Sequence, residues 1–269
     1  MLKHILIVVG LTLLVSTLLI YIFQRHLIYS PSKEVPDLGR FHATDMSIIH
    51  LHTADNLKLY SWYKPAQANQ PTILFLHGNA GHIGFRMPLM RALLDAGFGV
   101  LLLEYRGYGG NKGSPTEGGL YIDAETALQF LVHAGLKPQQ IVVFGESLGT
   151  AVATKIAVQK PFCAVILQSP LTALAPVARY HYPWIFIKPR DRFNSLERIK
   201  QIKAPILIIH GKLDPVIPFS EGLTLFNQAN NPKEMLQFDD KHHNDLWNKH
   251  FYEEIIHFIQ KSCTNKGVC

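Results

Sequence analysis

The pentapeptide GESLG, residues 145–149, directly follows the apolar run IVVF. A serine between two glycines, on a tight turn from strand to helix, has its hydroxyl pushed out as a nucleophile. Side chains at Gly145 and Gly149 would collide across such a turn. The helix that follows aims backbone N–H groups and its positive end at Ser147. A serine hydroxyl needs a base, and the base needs an acid to orient it. Downstream, Asp214 stands in KLDPVIP, just past the run PILIIHG. Two adjacent histidines, His242 and His243, stand in DDKHHNDLW (239–247), just past EMLQFD. The order serine, aspartate, histidine is the one expected when three such strand ends converge. This chemistry is acyl transfer, whose tetrahedral intermediate needs two N–H donors. One is expected from Leu148, the residue after the nucleophile. The other is expected from Asn79 in HGNAG (77–81), the loop after the first parallel strand. The competing role for Asp214 is an Asp-Pro turn starter. Spacing does not choose between the histidines, since adjacent loop residues point apart and only one faces the serine.

These residues meet only if the strands that carry them lie side by side. MSIIHLH (46–52) and LKLYSWY (57–63) alternate in character around the turn ADN, which predicts an antiparallel hairpin. TILFLH (72–77), GVLLLEY (99–105), IVVFG (141–145), AVILQS (164–169), PILIIHG (205–211) and EMLQFD (234–239) then alternate with helical stretches. Short runs alternating with helices predict an α/β fold: eight strands, mostly parallel, with helices on both faces. Ligands of such sheets bind at the carboxyl ends of the strands, where all the residues above lie. A last helix near 245–260 is expected to be capped by Asn244 or Asp245, with an apolar stripe through Trp247, Phe251, Ile255, Phe258 and Ile259.

The first 23 residues differ from the remainder. No charged residue occurs from Ile5 to Phe23, and 19 helical residues span about 28 Å, close to the hydrocarbon thickness of a bilayer. Tyr21 and Arg25-His26 sit where an interfacial anchor belongs. No small-x-small cleavage site follows Ile20, which favours a retained single-pass anchor over a signal peptide. The expected organisation is therefore an anchor over 1–28 and one domain over 29–269. Lys3 precedes the span while Arg25, Lys33 and Arg40 follow it, which points the domain toward the cytoplasm. Cys263 and Cys269 in SCTNKGVC could close a small disulfide in an oxidising compartment, which points the other way, so the side of the membrane stays open. Cys163, in an apolar run, reads as a core thiol.

A net charge of +6 is spread along the chain, and no basic cluster carries interleaved aromatics, so nucleic acid is not an expected partner. No Cys/His set has zinc spacing and no HExxH occurs, so neither a metal nor a cofactor is expected. His77 and His210 read as loop-packing residues. Arg106, Tyr108 and Asp123 read as structural, with the arginine satisfying carbonyls of a YRGYG turn.

Taken together, HGNAG, EYRGYGGNKGSPTEGG, GESLG, DRFNSLERI, HGKLDPVIP and HHNDLW resemble the α/β-hydrolase superfamily, and more narrowly its membrane-anchored alpha/beta-hydrolase-domain serine hydrolases. The resemblance extends over nearly the whole chain, including QRHLIYSP after the anchor. It implies hydrolysis of carboxylic esters, thioesters or lipid acyl groups, with Ser147 as nucleophile, Asp214 as acid and His243 as base. Glu104 stands where relatives usually have Asp, and Thr150 where Gly is common. The segment 171–203, between the sixth and seventh strands, is where this superfamily inserts a lid. Its RYHYPWIFIKPR (179–190) is expected to cap the pocket, or alternatively to dock Trp184–Ile187 into the membrane interface. A peptidase on the same triad, or a non-catalytic binding protein on a hydrolase fold, are the competing readings.

Overall fold

The computed structural model describes residues 1–184 and 188–264. It opens with helix α1 (Leu2–Ile28), which is long and apolar enough to cross a membrane. From Lys3 to Phe23 every described side chain except the half-buried Ile20 is exposed. A helix that is apolar on every face has no single stripe to turn toward a soluble core.

The eight expected strands form one sheet. They are β1 (Ser47–His52), β2 (Lys58–Lys64), β3 (Thr72–Leu76), β4 (Gly99–Leu103), β5 (Ile141–Glu146), β6 (Ala164–Gln168), β7 (Ile206–Gly211) and β8 (Lys233–Phe238). Their spatial order is β1-β2-β4-β3-β5-β6-β7-β8. β1 pairs antiparallel with β2, and β2 antiparallel with β4; all later pairings are parallel.

The period-2 geometry of a strand sorts the apolar runs between two cores. Leu74, Leu101, Val143 and Ile208 face one layer, with helices α3 (Glu117–His133), α4 (Leu148–Ala157) and α7 (Phe219–Gln228). Ile73, Phe75, Phe144 and Ile209 face the other, with α2 (Met87–Asp95) and α8 (Lys249–Thr264). Burial on both faces explains why β3 to β7 read as solid apolar runs rather than alternating ones. The chain leaves β3 for β4 on one side and returns to β5 on the other. The strand order therefore reverses at the carboxyl ends of β3 and β5, the position where open α/β sheets form their binding crevice.

Three local expectations are corrected. The side chain that caps α8 is Asn248, whose Oδ1 accepts the Phe251 N–H at 2.9 Å; Asp245 instead accepts the His242 N–H at 2.6 Å. Trp247 precedes the helix rather than belonging to its stripe. Cys263 is bonded to Cys163, with Cα atoms 5.3 Å apart, and not to Cys269, which lies outside the described residues. Cys263 is buried on the inner side of α8, against the layer that holds the fully buried Cys163. Cys163 is thus half of a disulfide rather than the expected core thiol, because the fold brings α8 onto the start of β6.

Arg106 is structural, yet its partners are carboxylates rather than turn carbonyls. Its Nε and Nη2 donate to Asp123 Oδ1 at 2.9 and 2.7 Å, its own N–H donates to Asp123 Oδ2, and Nη1 and Nη2 reach Asp55. Asp123 is fully buried. Asp123→Ala leaves the Arg106 guanidinium paired only with the exposed Asp55, so it is expected to lower stability by about 1–3 kcal/mol. Denaturant unfolding of the purified protein, comparing midpoints at unchanged slope, measures it.

Candidate active site

Ser147 ends the turn between β5 and α4 with φ +52° and ψ −121°. That left-handed region is costly for a residue with a Cβ and is held only where the surroundings dictate it. Here the glycines dictate it. A Cβ on Gly149 would come within 2.0 Å of the Leu76 carbonyl oxygen, and one on Gly145 within 2.6 Å of the Gly149 oxygen. Thr150, at the position where glycine is common, donates its hydroxyl to the Ser147 carbonyl at 2.6 Å and is accommodated in the turn.

His243 bridges the other two residues. Its Nε2 lies 3.0 Å from Ser147 Oγ, and its Nδ1 lies 2.6 Å from Asp214 Oδ2. Asp214 Oδ1 accepts the N–H groups of Val216 and Ile217, each at 2.8 Å. Burial pushes the Asp214 carboxyl up, but hydrogen bonds from His210 and His243, the histidine charge and the Ile217 N–H outweigh burial and hold it well below the usual carboxylate range. An ionised Asp214 keeps the proton of His243 on Nδ1, which leaves Nε2 as an acceptor facing the serine hydroxyl. His242 points away: it is exposed, and its Nδ1 lies 3.3 Å from Asp245 Oδ2.

Asn79 and Leu148 border the same cavity as Ser147, whose volume is about 450 Å³. Asn79 is tightly placed, with its carbonyl accepting from Tyr108 Oη at 2.8 Å and from the Ser30 N–H at 2.9 Å. Tyr108 thus has a structural role directed at this loop. His77 packs as expected, with Nε2 3.2 Å from Glu104 Oε1 in a fully buried pair. Glu104 Oε2 also accepts the Ile83 N–H at 3.0 Å. His210 contacts the Ile217 carbonyl at 3.0 Å and Asp214 Oδ2 at 3.3 Å, so it braces the acid loop.

Two positioning residues escape a reading of the sequence. Arg86 donates to both oxygens of Glu146, at 2.9 and 3.2 Å, and to the Ala80 carbonyl at 2.9 Å. It ties the Asn79 loop to the residue before the nucleophile, and its charge holds the part-buried Glu146 carboxyl low against the opposing effect of burial. Gln168, at the end of β6, accepts the Ser147 N–H with its carbonyl at 2.8 Å and the Trp247 indole N–H with its side chain at 3.1 Å. It links the serine turn to the histidine loop. A charged residue inside GESLG is the available signal for the first; nothing local marks the second.

Segment 171–203 carries α5 (Leu174–His181) and α6 (Ser195–Ile199), and α5 borders the cavity through Leu174, Val177 and Ala178. Trp184 is exposed, while residues 185–187 of the suggested membrane-docking stretch lie outside the described residues. Among the described residues no group of three or more His, Cys, Asp or Glu side chains is disposed to hold a metal ion.

Residues 71–195 match the family model of the alpha/beta hydrolase fold. Human alpha/beta hydrolase domain-containing protein 17B is 35% identical over 198 residues, covering 72% of this chain and 68% of that protein. Rattus norvegicus lysophosphatidylserine lipase ABHD12 is 34% identical over 218 residues, covering 71% of this chain and 54% of that longer protein. An esterase of Pyrococcus furiosus superposes with a TM-score of 0.72 at 20% identity, over 88% of this chain and 98% of that one, a likeness of fold.

Proposed function

Because this chain belongs to the α/β-hydrolase superfamily, among its alpha/beta-hydrolase-domain proteins, we propose that it is a membrane-anchored serine hydrolase of carboxylic esters or thioesters, lipid acyl groups included. One observation carries the reading: an unbroken relay from Asp214 through His243 to Ser147 Oγ, ending at the edge of a largely apolar cavity. In this mechanism Ser147 Oγ attacks the acyl carbonyl while His243 Nε2 takes its proton. The N–H groups of Asn79 and Leu148 hold the oxyanion. The imidazolium, stabilised by Asp214, then gives the proton to the leaving alcohol or thiol, and water activated by the same histidine releases the acid. The apolar span of α1 supports the membrane reading, and a lipase among the similar proteins supports an acyl substrate.

A fluorophosphonate probe tests the reading directly. A covalent adduct on the peptide bearing Ser147, absent from Ser147→Ala, is expected, together with faster turnover of nitrophenyl esters than of peptide anilides. Wild-type protein that takes no label would sink it.

A further inference from the structure

We propose that the last two turns of α1 form a wall of the acyl pocket, so that the anchor selects the acyl chain as well as holding the enzyme at the bilayer. The proposal rests on the serine-hydrolase reading above and deepens it.

Ile20, Gln24, Leu27 and Ile28 all border the cavity that contains Ser147 and Leu148. Their spacing of four, seven and eight residues puts them on one face of the helix. Burial follows that face except at Leu27, which is exposed. Ile20 and Ile28 are half-buried and Gln24 is buried, while the intervening Tyr21, Ile22 and Phe23 are exposed. Leu27 borders the open mouth. Across the cavity stands α5, with Leu174, Val177 and Ala178. The anchor, the inserted segment and Ser147 thus line one cavity, the proposed acyl slot.

A tether would need no fixed contact with the domain, whereas this helix end is clamped. Arg25 Nε and Nη2 donate to the two carboxylate oxygens of Asp191 at 2.9 and 3.0 Å, and Tyr29 Oη donates to Asp191 Oδ2 at 3.0 Å. Gln24 Oε1 accepts the Arg190 N–H at 2.7 Å. On the other side, Asn79 Nδ2 donates to the Ile28 carbonyl at 2.9 Å. Ser30–Pro31 then pairs in parallel with Ala80–Gly81. The anchor is thus registered both to the inserted segment and to the loop that bears the proposed oxyanion donor.

Depth in the bilayer gives the arrangement its use. About 20 helical residues cross the hydrocarbon, so a span that begins at Ile5 leaves the apolar layer near Gln24. The slot then opens at headgroup level, where the ester of a long-chain lipid lies. Its acyl chain can pass from the bilayer along the anchor to Ser147 without crossing water. Short acyl groups reach the serine without meeting Ile20 or Leu27; long ones do not.

The test uses the full chain in detergent micelles or nanodiscs, with nitrophenyl butyrate and dodecanoate as substrates. In Ile20→Trp and Leu27→Trp the ratio of kcat/KM for dodecanoate over butyrate is expected to fall about tenfold or more, the scale on which a pocket discriminates apolar bulk. Ile22→Trp, on the outward face, leaves the ratio unchanged. Leu27→Ala, which removes bulk, moves the preferred acyl length upward and reads the same wall without risk of overpacking. If the ratio is unmoved in all of these, while fluorophosphonate still labels Ser147, the anchor has no part in selection and the proposal falls alone. An equal fall in Ile22→Trp would overturn it too. Absence of labelling in the wild type would overturn the hydrolase reading and this proposal with it.

Discussion

His243→Ala is expected to lower kcat for nitrophenyl butyrate by about 10⁴- to 10⁶-fold, the range seen when a member of such a triad is removed, while His242→Ala keeps most of the activity. The two residues are neighbours with the same chemistry, so the contrast isolates geometry. The His243 imidazole touches Ser147 Oγ and Asp214 at once. The His242 ring sits in water beside Asp245. Without His243 the serine hydroxyl has no acceptor for its proton, and at neutral pH it is a poor nucleophile. The double variant Ser147→Ala, His243→Ala is expected to be no slower than either single variant, because the residues act as one unit and their losses do not add. Steady-state kinetics on the purified full chain, with thermal unfolding to confirm that each variant is folded, measures all four variants against the wild type. Strong loss in His242→Ala with little in His243→Ala would reverse the assignment of the base.

The contrast also shows how far the sequence is legible. Strands β3 to β7 can be read because burial on both faces leaves a run of apolar residues that little else imitates, and the candidate site residues follow β3, β5, β7 and β8. Ser147 was legible from its flanking glycines, whose absent Cβ atoms are a steric requirement of the turn. The choice between His242 and His243 was not, because it depends on which way one loop residue faces; only resemblance selected His243. Gln168 reads as an ordinary strand end, and its double role appears once β5 and the loop after β8 flank β6. The same holds for Arg86, whose carboxylate partner Glu146 lies far along the chain. Cys263 found Cys163 for the same reason. In α1 the sequence is apolar on every face and so says nothing about which side meets the domain. Gln24, a buried amide just past the span, is the faint mark of the buried face.

Asp214→Asn is expected to reduce kcat by about 10⁴-fold, the loss seen for the equivalent change in other triads, with little change in the fold of the site. The amide oxygen can keep the N–H bonds of Val216 and Ile217 that Asp214 Oδ1 now accepts. The amide nitrogen then faces His243 Nδ1, where a carboxylate oxygen stood at 2.6 Å. A donor there forces the histidine proton onto Nε2, so the ring offers the serine a proton instead of a lone pair. Geometry survives and the tautomer is wrong. Stability carries a second signature. Despite burial, which acts to raise it, the Asp214 carboxyl is held well below its usual range by His210, His243 and the Ile217 N–H. A depressed folded value means that the charged form stabilises the native state above the unfolded value of about 3.9, and that this contribution is lost as pH falls toward the folded value. Asparagine has no such dependence. The Tm difference between wild type and Asp214→Asn is therefore expected to be largest above about pH 4 and to shrink below it. Scanning calorimetry from neutral to acid pH measures it, and a difference that grew on acidification would show that Asp214 is not the ionised member of the relay.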